Sequence, residues 1–143
     1  MKLFHLFEEF AYLDRLFHGT TVARSVIIRK DGFSIEKQSE KSKYGSKLGV
    51  SFTTSKDVAK EHAEWAVKKF GGDPEIITIN SSDLRILSGN EFSKLDQDIN
   101  KAYQMFKANK IDAVEYCDFE SGDGCEEFEV FIFNLNKIKI VAH

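Results

Sequence analysis

Two carboxylates, Glu127 and Glu129, stand at the head of a run that is otherwise apolar, Phe128-Glu129-Val130-Phe131-Ile132-Phe133. The run is rich in β-branched and aromatic residues and holds neither Gly nor Pro, so it reads as a strand. Alternation puts Phe128, Val130 and Ile132 on one face, and Glu127, Glu129, Phe131 and Phe133 on the other. Carboxylates that begin the apolar face of a buried strand are costly unless a cation or hydrogen-bond donor lies opposite. The placement fits a strand end fraying into water, or the edge of a cleft.

Further polar marks lie upstream. His18 precedes Gly19-Thr20, and the hydroxyls of Ser51, Thr53, Thr54 and Ser55 cluster ahead of a helical pattern. By itself a histidine on a strand is usually a core residue with its hydrogen bonds satisfied, and a Ser/Thr cluster before a helix is usually a cap. Between Asp112 and Glu129 the chain carries eight acidic residues and no Lys or Arg. As a solvated loop that run does nothing; beside a reacting centre it would attract a cationic acceptor and repel nucleic acid. No metal is expected, because Asp118, Glu120 and Asp123 lack EF-hand spacing and Cys117 and Cys125 lack further paired zinc ligands.

The elements that must position these residues come from a chain of 143 residues, a length suited to one domain spanning 1–143. Hydrophobic residues make up 42% and charged residues 30%, an ordinary globular balance, and thirteen Phe point to an aromatic core. A net charge of −3 argues against a broad nucleic-acid or anionic-membrane surface. No run is long enough to span a membrane, and Glu8, Glu9 and Asp14 disqualify the first residues as a signal segment. Reduced thiols in a cytoplasm are the expectation for Cys117 and Cys125.

Leu3, Leu6, Phe7, Phe10, Ala11 and Leu13 mark one face of an N-terminal helix over 1–14. Arg15 to His18 is extended, Thr20 or Thr21 caps a helix that Asp31-Gly32 stops, and 35–48 is a long polar loop of the kind used as a lid or left as a surface excursion. A strand over 49–54 leads through Ser55 into a helix with Ala59, His62, Ala63, Ala66 and Phe70 on one stripe, ended by Gly71-Gly72-Asp73-Pro74. Strands follow at 75–79 and 84–87, then a helix over 94–109, then strands at 112–116, 126–133 and 137–141. The order gives an α+β class.

Taken together and in this order, the marks resemble the ADP-ribosyltransferase superfamily, which includes diphtheria-toxin-like and cholera-toxin-like enzymes and the poly(ADP-ribose) polymerases. The matching pieces are Leu16-Phe17-His18-Gly19-Thr20, then Gly49-Val50-Ser51-Phe52-Thr53-Thr54 running into a helix with Ala59 and His62, then Glu127-Phe128-Glu129. The resemblance covers about residues 15–141 and implies a split, mostly antiparallel sheet flanked by helices. It implies NAD as co-substrate and a target protein, arginine favoured, as acceptor. Glu129 would then stabilise the charge that builds on ribose when the nicotinamide bond breaks, and Glu127 would orient the acceptor. His18 would bind a ribose hydroxyl, Gly19 the nicotinamide amide, and Phe52 with His62 would cover the nicotinamide face. Thr20, Ser51 and Thr53 fall in the same cofactor-binding segments. Histidine-type members usually carry a Tyr in the middle strand, where this chain offers Ser51 and Phe52, so features of two subclasses are mixed. The same resemblance admits an NAD glycohydrolase, an RNA 2′-phosphotransferase, or a non-catalytic binding or inhibitor module.

Overall fold

The computed structural model describes residues 10–11, 13–34, 49–116 and 129–142. In chain order these form β1 (Phe10–Ala11), β2 (Arg15–Thr21), α1 (Val22–Asp31), β3 (Val50–Thr53), α2 (Lys56–Phe70), β4 (Pro74–Asn80), β5 (Ile86–Leu87), α3 (Gly89–Ser93), α4 (Ile99–Lys107), β6 (Ala113–Tyr116), β7 (Glu129–Ile132) and β8 (Lys139–Ile140). A 3-10 turn, Leu135–Lys137, joins the last strands. Among the described residues eight strands make one sheet in the order β1-β5-β6-β7-β3-β2-β4-β8, antiparallel throughout except for β5 with β6. The α+β expectation holds.

Local chemistry sets the ends of the elements that matter most. Thr21 Oγ1 accepts from Arg24 N at 3.3 Å and starts α1; Gly32, at φ 84°, ends it with its N–H on Ile28 O. Ser55 Oγ accepts from Val58 N at 3.3 Å and starts α2, which Gly71 closes at φ 79°. Asp57 in the first turn of α2 and Lys68 and Lys69 in the last complement its dipole.

Alternation divides the core into two clusters on opposite faces of the sheet. Val130 and Ile132 of β7 pack with Leu16, Phe52, Ile77 and Ile86, whereas Phe131 and Phe133 pack with Phe92, Met105 and Val114. Each of these buried side chains contributes about 1.5–3 kcal/mol relative to exposure. Below the sheet end, Asp112 acts as a staple: Oδ2 accepts from Arg85 N at 2.9 Å and Lys137 Nζ at 3.0 Å, and Oδ1 from Asn134 Nδ2 at 3.0 Å. Burial opposes its ionisation, but these donors outweigh burial and hold its pKa below the usual carboxylate value.

Three expectations are corrected. Phe10–Ala11, placed in an N-terminal helix by periodicity, is instead an edge strand paired with Leu87 and Ile86, because cross-strand pairing overrides a local 3.6 period; residues 1–9 lie outside the described chain. Of the helix expected over 94–109 only Ile99–Lys107 is helical; a separate short helix, Gly89–Ser93, precedes it and 94–97 is a turn. Asp96 and Gln97 take positive φ (54° and 51°) and bar a helix there, and Asp98 starts α4 by accepting from Asn100 N and Lys101 N. The sheet expected to be split is one hydrogen-bonded sheet, pinched between β2 and β3.

Candidate active site

The pinch makes the site. β2 pairs with β3 only through Phe17↔Thr53, while β2 continues along β4 to Thr21↔Pro74 and β3 continues along β7 to Val50↔Ile132. Past that pair the two strands part. Val22 N donates to Asp73 O at 2.9 Å in the register of the β2–β4 ladder, so the even-numbered residues of β2 are those bonded to β4. Phe17 and Gly19 therefore direct their peptide groups toward β3, and Gly19 does so where β3 has diverged. Gly19 has a second reason to be glycine: a Cβ there would collide with the Ala59 carbonyl and Ala63 nitrogen of α2.

His18 sits at the mouth of the gap. Nδ1 donates to Ser51 O at 3.1 Å, bridging the parted strands and leaving Nε2 as an acceptor. The imidazole meets the edge of Phe33 at 5.1 Å between centroids and is tilted on Phe52 at 5.4 Å. Burial pushes its pKa down to about 4; the Ser51 carbonyl opposes this, and the charges of His62 and Arg24 add to it. At neutral pH it is an uncharged hydrogen-bonding group.

Ser51 also serves the other side. Its Oγ donates to Glu129 Oε2 at 3.0 Å, and Tyr116 OH donates to the same oxygen at 2.6 Å. Tyr116 and Thr53 are the residues directly opposite Glu129 on the flanking strands. Among the described residues no cation is paired with Glu129. Its described partners are thus neutral hydroxyl donors, an arrangement that suits a carboxylate meant to answer positive charge on a ligand.

A cleft of about 1000 Å³ opens between α1, α2, β2 and the start of β3, within the range of ligand sites. Of the residues singled out by sequence, His18, Gly19, Thr20, Ser51 and His62 line it. Glu129 lies off the lining and reaches it through Ser51. Phe52 is buried beneath the imidazole rather than presented to the cleft. Thr53 is buried, its Oγ1 accepting from Ser55 N at 3.1 Å. Glu127, most of the acidic run, both cysteines and the 35–48 loop lie outside the described residues. The two described members of the acidic run other than Glu129 are structural: Asp112 is the staple, and Glu115 Oε1 accepts from Gly89 N at 3.0 Å.

Sequence reasoning missed Tyr116, Phe33 and Trp65. Tyr116 was legible as a strand residue, but only the β6–β7 register reveals its partner. Trp65 carried no motif and reaches the cleft only through the packing of α1 and α2 around the gap. Comparison with protein-family models, curated proteins and solved structures finds no match for the chain.

Proposed function

We propose that the protein is an NAD-dependent mono-ADP-ribosyltransferase with the fold of the ADP-ribosyltransferase superfamily, acting in a cytoplasmic setting on a protein side chain, arginine favoured. The observation that carries this reading is the Ser51 bridge. One residue of β3 accepts from the His18 imidazole at 3.1 Å and aligns the Glu129 carboxylate at 3.0 Å, so cleft and carboxylate form one unit.

On this reading the nicotinamide amide meets the Gly19 peptide group, and the neutral His18 Nε2 accepts from a ribose hydroxyl. The bond between ribose C1′ and the nicotinamide nitrogen breaks with its electron pair leaving on nicotinamide. The ribose becomes positively charged, and Glu129 stabilises that charge. An acceptor nitrogen forms the new bond at C1′ and gives its proton to solvent; with water as acceptor the same step is NAD hydrolysis. His62 borders the nicotinamide end, and Glu127, which the sequence resemblance assigns to the acceptor, would pair with an incoming guanidinium. Arg24, Lys68 and Lys69 in the cleft lining favour an anionic ligand, which suits the NAD diphosphate and is also the observation that supports a second reading, RNA 2′-phosphotransfer.

The test is incubation with NAD labelled in its adenylate half, with and without a cell lysate. Release of nicotinamide together with label on protein is expected. Release without labelled protein makes the chain a glycohydrolase. Nicotinamide release only when a 2′-phosphorylated RNA is supplied, with the RNA phosphate passing to the ADP-ribose, assigns the second reading, and inertness in both assays leaves a binding module.

A further inference from the structure

Helix α1 is inverted: it buries a serine and turns its valines to solvent. Ser25 is fully buried, its Oγ accepting from Arg29 Nε at 3.2 Å, while Val26 is 61% exposed and Val22 and Ile27 are exposed beside it. On α2, Trp65 is 75% exposed and Phe70 is exposed as well. Among the described residues these five are the exposed large apolar side chains, and they gather round one opening. Ile27, Trp65 and Phe70 line the cleft; Val22 is tied to the chain just past Phe70 by its N–H on Asp73 O at 2.9 Å, and Val26 lies one turn along α1 from Val22. Basic residues are interleaved with them: Lys30 continues the α1 stripe one turn beyond Val26, and Lys68 follows Trp65 by one turn of α2. No Asp or Glu is among the lining residues, and α1 and α2 together carry seven Lys and Arg against four Asp and Glu.

We propose that this face of α1 and α2 docks on an anionic lipid surface, with Trp65, Phe70, Val22, Val26 and Ile27 at the boundary between headgroups and acyl chains and Lys30 and Lys68 among the headgroups. An interfacial surface combines Trp, Phe and aliphatic side chains with Lys, whose stem lies along apolar matter while its ammonium reaches the headgroups. The core of a protein–protein interface is instead depleted of Lys, so the interleaving favours lipid over a partner chain. A net charge of −3 argues against a broad contact with an anionic membrane, but the surplus of cations on these two helices is local. It also sets the orientation, drawing this face to an anionic bilayer while the acidic remainder is repelled. The inference stands apart from the transferase reading, because docking on lipid requires neither NAD nor Glu129.

Trp65 is the only tryptophan of the chain, so its emission reports this face alone. The full-length protein, without NAD, is mixed with vesicles of phosphatidylcholine, with or without phosphatidylserine, and floated on a density gradient. Flotation with the phosphatidylserine vesicles and a blue shift of the Trp65 emission are expected, both fading as salt rises. Val26 and Lys30 lie outside the cleft lining and are exposed. Val26→Asp and Lys30→Glu should each weaken vesicle binding roughly tenfold or more, with the melting temperature in lipid-free solution little changed. Equal binding to both kinds of vesicle, flotation with neither, or binding unaltered in both variants overturns the proposal. So does a dimer in lipid-free solution that Val26→Asp dissociates, which assigns the face to a second copy of the chain. NAD cleavage without flotation keeps the transferase reading and removes the lipid surface; flotation without NAD cleavage does the reverse.

Discussion

Tyr116 and Glu129 stand directly opposite each other on β6 and β7, and the phenol donates to Glu129 Oε2 at 2.6 Å. The ring also packs edge-on against Phe131, 6.4 Å between centroids, so Tyr116→Phe removes the donor while keeping the packing. On the proposed function this is a positioning residue. The variant should lower kcat roughly tenfold with the KM for NAD little changed. A raised KM with unchanged kcat would mean that Tyr116 touches the donor instead.

Glu129→Gln should cut nicotinamide release by about a hundredfold or more, because an amide retains the shape but not the charge that answers the ribose cation. NAD should still raise the melting temperature of the variant by mass action. A wild-type rate would falsify the catalytic assignment.

Glu127→Gln should separate acceptor choice from bond cleavage, depressing labelling of protein while sparing slow NAD hydrolysis. Both activities are measured on one preparation. Parallel loss would make Glu127 part of the NAD site, and loss of neither would leave it a charged strand end.

The fold and the site were legible to different depths. Strand alternation in β7 assigned Val130 and Ile132 to one core and Phe131 and Phe133 to the other, because period 2 allows no intermediate orientation. Thr21, Ser55 and Gly32 were legible as helix boundaries because capping is a local interaction. The break at Asp96-Gln97 was hidden, since both are polar residues tolerable in a helix and only the backbone turn reveals them. In the site, His18, Ser51 and Glu129 were legible by type, whereas what connects them depends on register between strands 33 and 78 residues apart in sequence.

Acid should destabilise the protein through His18. Its folded pKa of about 4 lies below the ordinary value of 6.5, so between those pH values the unfolded chain binds the extra proton and stability falls with pH. The loss is complete below about pH 4 and amounts to at most ~3 kcal/mol. Asp112, whose pKa is depressed below 3.8, loses its contribution only in more acidic solution, so the windows separate. Denaturant unfolding at pH 7, 5.5 and 4.5 checks this; His18→Asn should flatten the slope, and an unchanged slope would place the titrating group elsewhere.

Where β2 outlasts its pairing with β3, the sheet is short of one rung, and the vacant position faces the cleft beside Gly19. A primary carboxamide is flat and carries a donor and an acceptor side by side, as a peptide unit does. On the proposed function, nicotinamide therefore enters as a surrogate for the missing backbone, recognised by the same pairing that holds strands together. A ring bearing a carboxylate in that place has acceptors only and leaves the carbonyl of the rung facing negative charge. Discrimination between the amide and the acid of the same ring then requires no dedicated side chain: it is inherited from an interrupted ladder.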